Sequence, residues 1–226
     1  MAEDEFQRGR IAYLGEDGEE TGREWFEMVR HARGRILRAF CEMDSLGLSR
    51  DVTLALDSES RPVDAFVRVI QRGEVLGSTQ FILGNGELRV VGRVAGRGEI
   101  DQTLTLERPL GYLGLHPLVG DALIANARGT ANLGAFERIA CYTNSQSPAG
   151  EVGLYAMSVS IDVAYLGTET LDVQAGRYEA RAYALRWKPE WEPARLWVHG
   201  DEALFLRLDW PMIGARYELA AHKIGR

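Results

Sequence analysis

The chain has 226 residues, 46% of them hydrophobic and 26% charged, with a formal net charge of −7. That length suits one large β domain or two small ones, with apolar side chains enough for a sizeable core. The acidic balance argues against a nucleic-acid binder, which needs a basic surface, and equally against docking on an anionic membrane.

Residues 1–8, opening Met1-Ala2-Glu3-Asp4-Glu5, are expected to be flexible. They carry no apolar signal-peptide core, and no run of the chain approaches membrane-spanning length, so a cytoplasmic location is expected. Cys41 and Cys141 are then reduced thiols, too few for a disulfide scaffold and without metal-ligand spacing. Lys188 and Lys223 are the only lysines. A Schiff-base lysine needs burial, and neither the polar loop at Lys188-Pro189 nor the C-terminal setting of Lys223 predicts it.

The N-terminal half reads as a meander of strands with one wet face. Residues 24–30 and 35–41 are rich in aromatic and β-branched side chains. Val52, Leu54 and Leu56 alternate with polar neighbours, as do Ala65, Val67 and Val69. Phe81-Ile82-Leu83, the turn signal Gly84-Asn85-Gly86 and the return Leu88-Arg89-Val90-Val91 spell a hairpin. Ile100, Leu104 and Leu106 form one more alternating face.

The alternation then stops. Residues 109–117 are punctuated by Gly and Pro, and residues 117–127 space their apolar side chains helically, with Pro117 suited to a first turn. One helix is expected there. Strand patterns resume at 136–142 and, after a polar loop over 143–150, along 152–165. Four strands close the chain: 178–187, 194–199, 204–210 and 213–222. In 204–210, Leu204, Leu206, Leu208 and Trp210 share one face, and Phe205, Arg207 and Asp209 the other. The expected fold is all-β: a single domain over 1–226, built as one highly curved antiparallel sheet or half-barrel of about 10–14 strands around one helix.

The residues Glu169-Thr170, Val173, Ala175-Gly176 and Tyr178, followed by Arg216-Tyr217-Glu218-Leu219, resemble the closing part of domain-of-unknown-function family 3108. The resemblance covers the closing part of the chain only. It implies an open antiparallel half-barrel around a hydrophobic cavity. Members of that family are typically secreted, unlike the location expected here.

No G-x-x-x-x-G-K-[ST], G-x-S-x-G, H-E-x-x-H or strand–G-x-G-x-x-G–helix unit is present. No cofactor and no metal are therefore expected. His116 sits where the loop meets the helix, among Tyr112, Leu113 and Leu115. It reads either as a general acid/base at a cavity mouth, with Tyr112 beside it, or as a residue packed under the loop. Arg195, Trp197 and His199 face the same way as Phe205, Arg207 and Asp209 if the two strands pair around Gly200-Asp201-Glu202. That face is either a solvated surface of cross-strand ion pairs or a cavity lining. As a lining, Trp197 and Phe205 would hold an aromatic ligand, Arg195 or Arg207 its carboxylate or phenolate, and His199 and Asp209 would join the catalysis. Trp187, Trp191, Trp197 and Trp210, with prolines between, read as a rim or partner surface or, equally, as barrel-end packing. Cys41 reads as a small core residue.

A cup of this kind encloses a small apolar or aromatic molecule. The leading expectation is a cofactor-independent lyase or isomerase acting on a phenolic compound, such as a lignin-derived aromatic dimer that loses formaldehyde. A non-catalytic carrier or sensor, and a structural or protein-interaction module, are the alternatives. Homo-oligomer formation is left open.

Overall fold

The computed structural model describes residues 5–225. The first eight strands are β1 (Glu5–Leu14), β2 (Glu20–His31), β3 (Gly34–Met43), β4 (Leu48–Asp57), β5 (Pro62–Gln71), β6 (Glu74–Gly84), β7 (Glu87–Val94) and β8 (Gly98–Thr105). A crossing segment holds β9 (Leu113–Gly114), α1 (Leu118–Asp121) and α2 (Ile124–Arg128). The closing strands are β10 (Phe136–Thr143), β11 (Met157–Val173), β12 (Gly176–Arg186), β13 (Ala194–His199), β14 (Leu204–Trp210) and β15 (Ala215–Gly225). The stretch expected to be flexible thus divides. Residues 5–8 belong to β1, and residues 1–4 lie outside the described residues.

All fifteen strands form one sheet, in the order β8-β7-β6-β5-β4-β3-β2-β1-β15-β14-β13-β12-β11-β10-β9. Each half is a meander of hairpins. The halves join where the first strand meets the last, from Phe6 opposite Gly225 to Leu14 opposite Arg216. Neighbours are antiparallel except the short β9–β10 pair. The sheet is curved and not closed, with β8 and β9 at its edges. Alternation explains the strands: β4 reads buried, intermediate, buried from Leu48 to Asp57, because its apolar side chains point inward. The turn at Asn85-Gly86 has φ of 53° and 77°, the left-handed pair that a two-residue hairpin needs.

The crossing segment lies inside the curve. Leu118, Val119, Ala122, Ile124 and Ala125 are buried. The expected single helix is broken into two short ones by a turn at Ala122-Leu123. The segment is pinned to both halves of the sheet. The Glu24 carboxylate of β2 accepts the backbone N–H of Leu118 at 2.7 Å and of Val119 at 2.9 Å. The buried Arg128 guanidinium donates to the carbonyl of Val163 at 2.8 Å and to those of Ala131, Asn132 and Ala135. The plug therefore sits on charged side chains whose hydrogen bonds replace lost water.

Two bulges shape the closing half. Tyr165 pairs with Tyr183 and Gly167 with Ala182, so Leu166 is extra and bends the 17-residue β11. The tip of the β11–β12 hairpin folds back over the outer face of β13–β15. There Ala175 donates to the Leu219 carbonyl at 3.0 Å, and the Gln174 N–H to Glu218 at 2.9 Å. In β14, Arg207 pairs with Trp197 and Phe205 with Val198, so Leu206 is the extra residue.

Candidate functional site

A cavity of about 400 Å³ lies between the plug and the inner faces of β11–β15. Its wall is mainly apolar: Val159, Ile161, Leu185, Leu196, Phe205 and Leu208 from the strands, and Leu118 from α1. Tyr13 of β1 and Tyr217 of β15 close the floor, their rings edge-on with centroids 5.0 Å apart. The mouth lies between residues 145–148 and the β12–β13 loop, where Trp187, Lys188 and Trp191 join the lining. Trp187 stacks on Trp210, ring centroids 4.6 Å apart.

The polar groups gather at the inner end. Tyr112 donates to the Asp121 carboxylate at 2.9 Å. Burial raises the Asp121 carboxyl to about 6, against the lowering effects of the Tyr112 hydroxyl and the nearby Arg50 charge. Behind them, Glu24 is pushed up to about 7 by burial, although Val119, Leu118 and the Tyr13 hydroxyl all donate to it. Burial raises Tyr13 and Tyr112, takes Tyr217 to about 12, and raises the Cys41 thiol beside Glu24. These hydroxyls and the thiol stay protonated at neutral pH, while the two carboxyls titrate near it.

His116 lines this end of the cavity. Its Nε2 lies 3.0 Å from the Ser145 carbonyl, so that nitrogen carries the proton. Burial, then the Arg50 charge, lowers its pKa to about 3. A neutral imidazole with one nitrogen engaged leaves Nδ1 as an acceptor, so proton exchange near neutral pH falls to the carboxyls. His116 adopts a φ of 73°, uncommon for a residue with a side chain. The loop fits tightly above: a Cβ on Gly150 would lie 2.4 Å from Arg50 and 2.8 Å from the His116 ring.

The structure brings together Tyr112, His116 and Phe205 of the sequence-derived site and separates the rest from them. Phe205 lines the cavity for a reason opposite to the expected one: the Leu206 bulge turns it to the inner face with Leu208. Arg195, Trp197, Arg207 and Asp209 lie on the outer face. Trp197 donates to Glu169 at 2.6 Å and Arg195 to the same carboxylate at 2.8 Å. Arg195 and Arg207 stack on the Trp197 ring, and Asp209 binds Arg207 and Arg216. His199 contacts the Glu179 carbonyl at 2.7 Å and the Tyr178 ring at 5.3 Å. This face is a cross-strand ion-pair surface beneath the β11–β12 hairpin, so the cavity reading of Arg195, Trp197, His199, Arg207 and Asp209 is corrected.

Asp121, Glu24, Tyr13, Tyr217 and Arg50 were missed. The signal for two of them lay in the alternation. Arg50 falls in the buried row Leu48, Arg50, Val52, Leu54, and Glu24 in the row Gly22, Glu24, Phe26, Met28. A charge on the dry side of a strand marks a buried polar site. Among the described residues, no group of three or more His, Cys, Asp or Glu side chains is placed to hold a metal ion.

Neither a family model nor a curated protein matches the sequence. The fold is similar to that of a β-barrel-like protein of domain of unknown function DUF1849 from Brucella abortus, with a TM-score of 0.58 and 12% identity over 99% of this chain and 98% of that one. It is also similar to a DUF1089 family protein from Pseudomonas aeruginosa, with a TM-score of 0.52 and 15% identity over 84% and 90%. These likenesses establish a β-barrel-like fold among uncharacterised bacterial proteins. Among the described residues, no helix is long and apolar enough to cross a membrane.

Proposed function

We propose that the cavity encloses a small aromatic or apolar molecule and acts on it by cofactor-independent acid/base chemistry, as a lyase or isomerase. The observation that carries this reading is the 400 Å³ apolar cavity with the part-buried Tyr112–Asp121 pair at its inner end. Volumes of this order, lined by apolar groups with a few converging polar ones, are typical of small-molecule sites. Asp121, raised toward neutral pH, is the base that takes a hydroxyl proton, and Tyr112, released from Asp121 once that carboxyl is protonated, is the donor that steadies the developing anion. His116 supplies an acceptor at Nδ1.

Lignin-derived phenolic dimers bearing a hydroxymethyl group fit this chemistry. Where a ketone adjoins the carbon that bears the hydroxymethyl group, Asp121 removes the hydroxyl proton, the carbon–carbon bond breaks to release formaldehyde, its electron pair enters the ketone as an enolate, and the same proton returns to the carbon left behind. A carrier or sensor is the second reading, favoured by a lining in which apolar side chains outnumber polar ones. The reading also takes residues 1–226 as one domain in the cytoplasm, where the free buried thiols Cys41 and Cys141 stay reduced. Nucleic acid and membrane are not its partners, in keeping with the net charge of −7. Kinship with domain-of-unknown-function family 3108 belongs to the proposal as well, carried by the Glu169–Tyr178 motif and Arg216-Tyr217-Glu218-Leu219.

The test is to incubate the protein with hydroxymethyl-bearing phenolic dimers and measure formaldehyde. The lyase reading expects release that Asp121→Asn abolishes while calorimetric binding persists, weakened about tenfold. Binding without release from any compound supports the carrier. No binding to any apolar or aromatic compound overturns both.

A further inference from the structure

The two ends of the cavity differ in charge, and the difference orients a ligand. Asp121 sits at the inner end with Glu24 behind it, and Tyr13, Tyr112 and Tyr217 surround them. The Arg50 charge, near enough to lower Asp121 but outside the cavity lining, offsets part of their negative charge, but a second carboxylate would still meet like charge at Asp121 and Glu24, where burial leaves little water to screen it. A neutral hydroxyl meets none and finds an acceptor in Asp121 and a donor in Tyr217, since Tyr112 and Tyr13 already donate to Asp121 and Glu24.

The mouth offers the opposite. Among the described residues, Lys188 is the sole Lys or Arg lining the cavity. It is exposed at the rim, with its ammonium 4.7 Å from the Trp191 ring centre, and that stacking restrains a flexible side chain beside the opening. Glu190 and Glu192 of the same loop are exposed but do not line the cavity. A second donor is unused: the indole Nε1 of Trp210, a lining residue stacked on Trp187, is buried and has no hydrogen-bond partner. A buried donor without an acceptor is uncommon, and an acceptor atom of a ligand is a physical reason for it.

We infer that the ligand is bipolar: an aromatic body lying along the apolar wall, a hydroxyl at Tyr112–Asp121, and a carboxylate at the mouth held by Lys188 and the Trp210 indole. The substrate class is thus a hydroxyaryl carboxylic acid, or a larger phenolic molecule ending in one. This inference rests on the proposed enclosure of an aromatic molecule. It narrows that reading, because a neutral phenolic compound would leave Lys188 and Trp210 unanswered.

The experiment is calorimetric titration of the full chain with three probes: 4-hydroxycinnamate, 4-hydroxycinnamyl alcohol and cinnamate. The first has both polar ends, and the others lack the carboxylate and the hydroxyl respectively. The expected result is that 4-hydroxycinnamate binds at least tenfold more tightly than either. Lys188→Glu should erase its advantage over the alcohol and leave the alcohol's affinity unchanged. Lys188 is exposed, so the variant folds; near-ultraviolet circular dichroism checks this. Trp210→Phe should weaken 4-hydroxycinnamate several-fold and the alcohol little. Equal binding of acid and alcohol, or an advantage that survives Lys188→Glu, overturns the inference while leaving the enclosing cavity in place. Failure of all three probes to bind, together with neutral phenolic dimers, overturns the cavity reading and this inference with it.

Discussion

The two faces of the β13–β14 hairpin invite comparison. Its outer face holds Arg195, Trp197, Arg207 and Asp209, side chains suited to catalysis or recognition, and they are spent on one another and on Glu169. Its inner face holds Leu196, Phe205 and Leu208, which form part of a cavity wall whose chemistry comes from β1, β15 and the plug. Reactive residue types therefore do not mark the site here. The polar end of the cavity is marked instead by charge on the dry side of the sheet, at Glu24 and Arg50, and by Asp121 of the plug.

The comparison can be broken most forcefully from the inner face. Phe205 is fully buried, and Phe205→Ala removes a ring from both core and cavity wall, at a cost of about 3–5 kcal/mol. Arg207→Ala on the outer face should cost about 1 kcal/mol or less, because its pair with Asp209 is partly screened. Chemical denaturation of both variants measures the contrast, and equal losses would erase it.

A pH scan probes the buried charge. The carboxyl of Glu24 is raised from 4.5 to about 7 in the folded chain. Its contribution to stability is therefore fully present below about pH 4.5 and is lost as pH rises through about 7, a change on the order of 3 kcal/mol. Asp121 runs in the same direction, from 3.8 to about 6. His116 runs the other way: with its folded value lowered from 6.5 to about 3, it contributes stability above pH 6.5 that is lost as pH falls. Glu24→Gln should be less dependent on pH between 4.5 and 7 than the parent chain, measured by denaturation at each pH. A slope unchanged in the variant would remove Glu24 as its source.

Smaller effects sharpen the picture. Gly150→Ala forces a side chain into the left-handed region against Arg50 and His116, and should cost about 1–2 kcal/mol and loosen the loop over the cavity. Protection of amide hydrogens in residues 145–150 reads the loosening. Arg195→Ala should change stability by less than about 1 kcal/mol, since both members of its ion pair are about half exposed, and should leave ligand affinity unaltered.

Much of the fold was legible in the sequence, because a half-wet strand writes its two faces into alternating residues. The hairpin at Asn85-Gly86, the loop over 143–150 and the helical segment near 117–127 were all visible that way. So was a rim of tryptophans, of which Trp187, Trp191 and Trp210 line the cavity and Trp197 does not. The site was read less well because β14 contains a bulge. One extra residue, Leu206, reverses the facing of Phe205 relative to Arg207, and alternation carries no mark of it. Trp197 misled in another way. It is buried, but under a folded-back hairpin on the outside of the sheet, a long-range contact that no local pattern encodes. Asp121 was hidden inside a helical pattern, where a single acid is ordinarily solvated.

The most direct measurement is calorimetric titration of the parent chain, Asp121→Asn and Arg207→Ala with a panel of phenolic compounds. The inner-face account predicts one-to-one binding of at least one phenol to the parent chain, unchanged in Arg207→Ala and weakened about tenfold in Asp121→Asn, the loss of one charge-assisted hydrogen bond. Binding that Arg207→Ala weakens and Asp121→Asn leaves intact, or no binding by any phenol, would contradict it.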